Sequence, residues 1–222
     1  MKIIAKIHNG FHSKFGIPRQ SGLSEIESKI IFESPFRDPD AIKGMEGFSH
    51  LWLIWEFSES KTVKWKPTVR PPRLGGNKRI GVFATRSPFR PNPIGLSCVK
   101  IKSIEYEKIN GPVITVTGAD LIDGTPIYDI KPYIPFSDSI PDAIGGFADE
   151  NFSRKLNVFI SDEIKSAVSE DELNTLITLL EQDPRPAYQK DTDRIYGFEF
   201  DKIHVEFTVD CENLKVIKLE KP

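Results

Sequence analysis

Two arginines on a loop stiffened by three prolines are the first feature of this sequence that could do chemistry. Gly81 to Gly95 reads Gly-Val-Phe-Ala-Thr-Arg-Ser-Pro-Phe-Arg-Pro-Asn-Pro-Ile-Gly. Pro88, Pro91 and Pro93 each fix φ at about −65° and restrict the residue before them. A loop built this way loses little entropy when it meets a ligand. It carries Arg86 and Arg90, with Asn92 between two prolines. Planar guanidinium forks on a rigid support suit phosphate or carboxylate. The plainer reading is a stiff turn with surface arginines.

Two other stretches share this character. Pro67 to Gly76 contains Arg70 and Arg73 among prolines and glycines and is unfit for a central strand. Asp183-Pro184-Arg185-Pro186-Ala187-Tyr188 sets an acid, a guanidinium and an aromatic on one bend. An acid beside proline followed by an aromatic is similar to loops with which amino-group methyltransferases hold adenine. There an oxygen accepts from the exocyclic amine and a ring stacks on the base.

The charge is unevenly spread. The chain has 222 residues, 30 Lys plus Arg, 32 Asp plus Glu and a net charge of −2. Yet no acid occurs between Ser60 and Ile104, a stretch that includes Lys64, Lys66, Arg70, Arg73, Lys78, Arg86 and Arg90. A one-sign patch concentrates and steers polyanions. The competing reading is a set of solvated loops. Trp65, within this stretch, is a candidate to stack on a base.

The elements that must position these groups are mostly strands. Ile3–His8, Ile26–Glu33, Ser49–Phe57, Arg79–Thr85, Leu96–Ile104 and Val113–Gly118 are short and rich in Val, Ile and Phe, with turns such as Asn110-Gly111 and Asp123-Gly124 between them. Ser49–Phe57 shows little alternation and reads as buried on both faces. Trp52, Trp55 and Cys98 read as core. Pro39–Lys43, capped by Asp38, is the one helix signal of this half. The pattern is that of a small barrel or sandwich. After Pro141 the chain turns Gly-rich and acidic. A strand at Lys155–Ile160, a helix begun by the capping box Ser169-Glu170-Asp171-Glu172, and strands at Ile195–Phe200, His204–Val209 and Lys215–Leu219 read as a smaller α+β unit.

Composition excludes several classes. Apolar residues are 39% and charged residues 28%, which fits a globular chain rather than a disordered one. No apolar run approaches the ~20 residues of a membrane span, and the opening Met1–Lys6 is broken by charge too early for a signal peptide. Cys98 and Cys211 form no disulfide framework, and no Cys/His cluster has zinc spacing. The expectation is a soluble, cytoplasmic protein without a metal centre or a membrane. No Gly-x-Gly-x-x-Gly follows a strand, so a Rossmann reading has no support, and Walker and Gly-x-Ser-x-Gly motifs are lacking. His8, His12, His50 and His204 are scattered, and a lone histidine is usually structural.

At Gly16-Ile17-Pro18-Arg19-Gln20, Phe48-Ser49-His50-Leu51-Trp52, Arg70 to Asn77, Gly81 to Gly95, Asp120-Leu121-Ile122-Asp123-Gly124-Thr125-Pro126, Asp129 to Tyr133 and Asp183 to Tyr188, the sequence resembles the TrmO family, also called TsaA-like or YaeB-like. The segments run in family order over nearly the whole chain. The resemblance implies a mainly β protein: a TsaA-like β-barrel over 1–141 that binds S-adenosylmethionine, and a small α+β domain over 142–222. It implies a homodimer that methylates the exocyclic amine of N-threonylcarbamoyladenosine, immediately 3′ of the anticodon in tRNA. Carried onto this chain, the cofactor site comprises Pro18, Arg19, Gln20, His50, Leu51, Arg86, Leu96, Asp120, Leu121, Ile122, Asp123 and Gly124. Asp183, Arg185, Tyr188 and Asn92 are expected at the reacting base. Lys64, Lys66, Arg70, Arg73, Lys78 and Arg90 are expected on the anticodon stem-loop. The alternative is an RNA-binding barrel, an adaptor without chemistry, which has no need of Pro18–Gln20 or Asp120–Gly124. A hydrolase using Asp120, Asp123 or Asp183 is disfavoured because no nucleophile–base pair or metal site accompanies them.

Overall fold

The computed structural model describes residues 1–60, 65–71, 74, 78–151, 155–185 and 191–221. Among them, the first half forms β1 (Ala5–His8), β2 (Glu27–Phe32), β3 (His50–Glu56), β4 (Thr68–Val69), β5 (Ile80–Gly81), β6 (Ile94–Glu107), β7 (Gly111–Thr117) and β8 (Pro126–Pro132). Six of these close into a barrel in the order β1-β2-β7-β6-β3-β8, each pair antiparallel. Ile7, Ile30, Leu51, Leu53, Trp55, Val99, Ile114 and Ile127 fill it. A barrel this narrow is packed by its own side chains, so ligands must meet its rim.

The second half adds α1 (Pro135–Asp138), β9 (Asn157–Phe159), α2 (Asp162–Lys165), α3 (Glu170–Glu181), β10 (Tyr196–Phe200), β11 (Ile203–Asp210) and β12 (Asn213–Glu220). The sheet order is β10-β11-β12-β9, with β9 parallel to β12. Ser169 and Glu172 form the expected capping box at the start of α3. Leu176, Leu179 and Leu180 of α3 enter a second core with Phe198, Val205, Phe207 and Leu214.

The β1–β2 connection ties the two cores together. Phe11 and Ile26, from the barrel half, are buried in the second core, and Phe15 and Ile17 pack against it. Gly16 makes this crossing possible. Its φ is +92°, and a Cβ there would lie 2.6 Å from the Phe198 ring.

Several expectations change. Strand β3 alternates: Leu51, Leu53 and Trp55 are buried, while Trp52 and Ile54 are half-covered on the outer face. Trp52 keeps its indole N–H near the surface, where it donates to Asp138. Cys98 of β6 pairs with Trp52 of β3 and is half-buried on that same outer face, not core. The stretch 79–85 holds only the two-residue β5, paired with β4, and then a 3₁₀ turn at Val82–Ala84. Pro39–Ile42 is a single 3₁₀ turn, with Asp38 accepting from the Asp40 N–H, because so short a segment cannot offset helix nucleation. Strand β8 is unforeseen from periodicity, since Asp129 and Lys131 break its apolar pattern, yet it pairs with β1 and β3 to close the barrel.

Candidate cofactor cavity and its basic rim

A cavity of 530 Å³ opens at the end of the barrel where β3 meets β6. That volume lies in the range of small-molecule and cofactor sites. Three chain segments make its wall. Ile17, Pro18, Arg19 and Gln20 come from the β1–β2 connection, Thr85, Arg86, Pro88 and Arg90 from the proline-rich loop, and Asp120 and Ile122 from the turn after β7. Trp55, Glu56, Gly95 and Leu96 of β3 and β6 complete it, with Lys14 and Glu59 among the further lining residues.

Strand register explains the last group. Trp55 faces Gly95 across the ladder. A Cβ on Gly95 would lie 2.2 Å from the Trp55 ring, so only glycine lets the indole lie across β6. The indole Nε1–H donates to Ser97 Oγ at 2.9 Å, and the Ser97 hydroxyl donates to Asp120 Oδ1 at 2.5 Å. Burial pushes the Asp120 carboxyl above its ordinary range, while the Ser97 hydrogen bond and the charge of Arg86 oppose that shift.

The arginines have distinct engagements. Arg86 Nη1 donates to Gln20 Oε1 at 2.7 Å and the residue is otherwise exposed, with further donors free to face a ligand. Arg90 donates to the carbonyls of Thr85 at 2.6 Å and Val82 at 3.2 Å, and so braces the loop that carries Arg86. Arg19 Nη2 donates to the carbonyls of Asp183 at 2.8 Å and Arg185 at 3.0 Å. This guanidinium links the cavity wall to the bend after α3.

The acids of the wall include Glu56, which accepts the Tyr128 hydroxyl and pushes that phenol up to about 12. Together the wall offers guanidinium donors for a carboxylate, Asp120 and Glu56 for an ammonium or ribose hydroxyls, and Ile17, Pro18, Leu96 and Ile122 for a flat base. That donor set fits the parts of S-adenosylmethionine.

Of the residues expected at a cofactor, Pro18, Arg19, Gln20, Arg86, Leu96, Asp120 and Ile122 line this one cavity. The others stand apart. Leu51 and Leu121 are buried in the barrel core. His50 begins β3, five residues before Trp55, roughly 17 Å away at ~3.3 Å per residue. There it meets Ser49 Oγ at 2.8 Å and the edge of Tyr133. Asp123 accepts from the Asn9 N–H, and Gly124 donates to the Ile7 carbonyl, so both secure the turn against β1.

The residues expected at the reacting base divide similarly. The Asp183 carboxylate is held by Arg185, whose guanidinium also lies 5.9 Å over the Tyr196 ring. Asn92 is exposed on the proline-rich loop, outside the cavity wall. Tyr188 lies outside the described residues. On the basic rim, Lys66, Arg70 and Lys78 are exposed, Arg90 is half-buried, and Lys64 and Arg73 lie outside the described residues. Sequence reasoning missed Trp55, Glu56, Gly95 and Ser97. The signals were an acid ending an apolar strand and a Gly-Leu-Ser run entering the next one, and both need the strand register to acquire meaning.

Comparison with known proteins agrees with this architecture. Residues 6–139 match the tRNA-methyltransferase O N-terminal domain, and residues 153–222 match the TrmO C-terminal domain. The chain is 40% identical to the tRNA (adenine(37)-N6)-methyltransferase of Escherichia coli, over 98% of this chain and 96% of that one. It is 39% identical to a Pseudomonas aeruginosa chain described as a candidate S-adenosylmethionine-dependent methyltransferase, over 87% of this chain and 85% of that one. The crystal structure of TrmO from Pseudomonas aeruginosa superposes with a TM-score of 0.76 at 30% identity, covering 98% of this chain and 96% of that one. With both domain models matched in order and a relative of this identity along nearly its whole length, the chain belongs to the tRNA-methyltransferase O family.

Proposed function

We propose that the protein transfers a methyl group from S-adenosylmethionine to the exocyclic amine of adenosine 37 in tRNA, with N-threonylcarbamoyladenosine as the acceptor. The observation that carries this reading is the convergence of Pro18–Gln20, Arg86, Leu96 and Asp120 on one cavity whose mouth belongs to the acid-free basic loop. An adaptor barrel needs the basic loop but not that converging set.

When bound, S-adenosylmethionine supplies a methyl group made electrophilic by its sulfonium. The protein's part is alignment and electrostatic support. Arg86, steadied by Gln20, binds a carboxylate. Asp120, fixed by Ser97, receives an ammonium or a ribose hydroxyl. Pro18, Leu96 and Ile122 exclude water from the flat base. The bend at Asp183–Arg185 is joined to the cavity through Arg19, and we assign Tyr188 and Asn92 to the target nucleotide. Lys66, Arg70 and Lys78 hold phosphates of the anticodon stem-loop.

We read residues 1–141 as the cofactor-binding barrel domain and 142–222 as the domain that carries the Asp-Pro-Arg-Pro-Ala-Tyr motif of 183–188. We also assign a homodimer working in the cytoplasm. The apolar surface available to a second copy includes Phe136 and Ile144, each 92% exposed on the segment between barrel and sheet.

The test is methyl transfer with purified protein, labelled S-adenosylmethionine and threonylcarbamoylated tRNA. Label in the N6-methylated nucleoside is expected. RNA binding with neither cofactor binding nor transfer would instead establish the adaptor.

A further inference from the structure

Beside the cavity, the basic loop presents three large aromatic rings to solvent. Phe83 is 70% exposed, and Trp65 and Phe89 are each 47% exposed. Single exposed apolar residues are ordinary, whereas a cluster marks an interaction site. These rings are built into place. The Val82 N–H donates to the Pro67 carbonyl at 2.9 Å, and β4 pairs with β5, which brings Trp65 beside the 3₁₀ turn bearing Phe83. The two ring centroids are 6.1 Å apart at an interplanar angle of 31°. The Arg90 guanidinium lies over the Phe83 ring, 5.7 Å from its centroid, while its N–H groups hold the Val82 and Thr85 carbonyls. Two residues beyond Phe83, Thr85 already lines the cavity.

An occupant must have a flat π-face and a negative charge, because the surrounding loop holds Lys66, Arg70, Lys78 and Arg79 and no acid. Unpaired nucleotides meet both demands. Bases in RNA loops can be splayed out and stacked on aromatic rings, and such stacking tolerates any base.

We infer that Trp65 and Phe83, with Arg90 against Phe83, form a stacking platform for an unpaired nucleotide flanking the target adenosine. The inference rests on the tRNA reading above. The platform turns the anticodon loop so that its target base reaches the cavity, while the lysines and arginines of the rim grip the phosphates.

The experiment measures fluorescence anisotropy of a labelled anticodon stem-loop with the full chain, its Phe83→Ala and Trp65→Ala variants, and the conservative Phe83→Tyr. Each alanine variant is expected to weaken binding roughly 5- to 100-fold, the range for one lost base stack. The slope of affinity against salt stays unchanged, because no phosphate contact is lost. Phe83→Tyr restores affinity, and binding to a fully paired RNA duplex is unaffected in all variants. Alanine variants that bind the stem-loop as wild type does would overturn the platform and leave the tRNA reading intact. Equal losses for stem-loop and duplex, or a loss of S-adenosylmethionine affinity, would make the rings structural and overturn it. Dissociation of a dimer in the alanine variants would assign the rings to a second copy instead. Wild-type protein that ignores the stem-loop would overturn the tRNA reading and the platform together.

Discussion

Arg185 holds the carboxylate of Asp183 at two points, Nε to Oδ1 at 2.8 Å and Nη2 to Oδ2 at 3.0 Å, across a bend where Asp183 itself has φ +51°. A non-glycine residue in the left-handed region needs local support. The ion pair supplies it from one side, and Arg19, donating to the carbonyls of both residues, supplies it from the other. The Asp183 carboxylate is therefore already engaged within the bend.

Arg185→Ala should lower turnover at saturating S-adenosylmethionine by roughly 10- to 100-fold and leave cofactor affinity within about twofold. Arg185→Lys should not rescue, because an ammonium cannot reproduce the planar two-point contact. Steady-state kinetics with both substrates, beside calorimetry for the cofactor, separate the two quantities. Wild-type turnover in Arg185→Ala would show that the bend takes no part in catalysis.

Arg86 is the cavity guanidinium best placed for a ligand, since the contact with Gln20 occupies one of its five donors. Arg86→Ala should weaken S-adenosylmethionine binding by about 1.5–3 kcal/mol, the worth of a hydrogen bond to a charged group. Gln20→Ala should cost less, because it frees the guanidinium without removing it. Unfolding temperature should stay near wild type in both. Titration calorimetry decides, and undiminished affinity in Arg86→Ala would remove this residue from the cofactor site.

These contacts mark where the sequence was legible. The capping box at Ser169 is a local signal, and it formed as the residues dictate. Local signals also located the rigid arginine loop, because proline fixes the backbone wherever it stands. Strand β8 was hidden because Asp129 and Lys131 interrupt its pattern, and only its pairing with β1 and β3 defines it. The segments matched by family resemblance identified seven cavity residues but also Leu51 and Leu121, which are barrel core. A motif marks a stretch of chain, while the fold decides which of its side chains face the cavity. The Trp55–Ser97–Asp120 chain joins three segments and exists only once the register is set.

Gly95→Ala tests the packing beneath that chain. The new methyl group would stand 2.2 Å from the Trp55 ring, which is 5% exposed and already packed in the barrel core. Overpacking of this kind costs about 1–3 kcal/mol. For a domain of this size it should lower the unfolding temperature by about 2–4 °C per kcal/mol. Displacing the indole also disturbs Ser97 and Asp120, so cofactor affinity should fall with stability. A thermal melt and a cofactor titration on the same sample check both, and an unchanged melt would mean that the barrel end yields easily.

Asp120 should show the opposite trade between stability and function. Its carboxyl is held above the ordinary value of 3.8, chiefly by burial. A group whose folded-state pKa is raised favours the fold most at pH below its unfolded value, and that advantage is lost as pH rises through the folded value. At neutral pH the wild type therefore bears the cost of a desolvated carboxylate. Asp120→Asn removes this cost and keeps an oxygen for the Ser97 hydroxyl to donate to. The variant should be more stable than wild type at pH 7, and the difference should shrink as pH falls toward 4. Cofactor affinity should drop by about tenfold or more, the worth of at least one charge-assisted hydrogen bond. Urea unfolding of both proteins from pH 4 to pH 8 measures the first effect. A variant less stable than wild type at pH 7, with the gap widening upward in pH, would mean that Arg86 and the hydrogen bonds outweigh burial and that the carboxylate stabilises the fold.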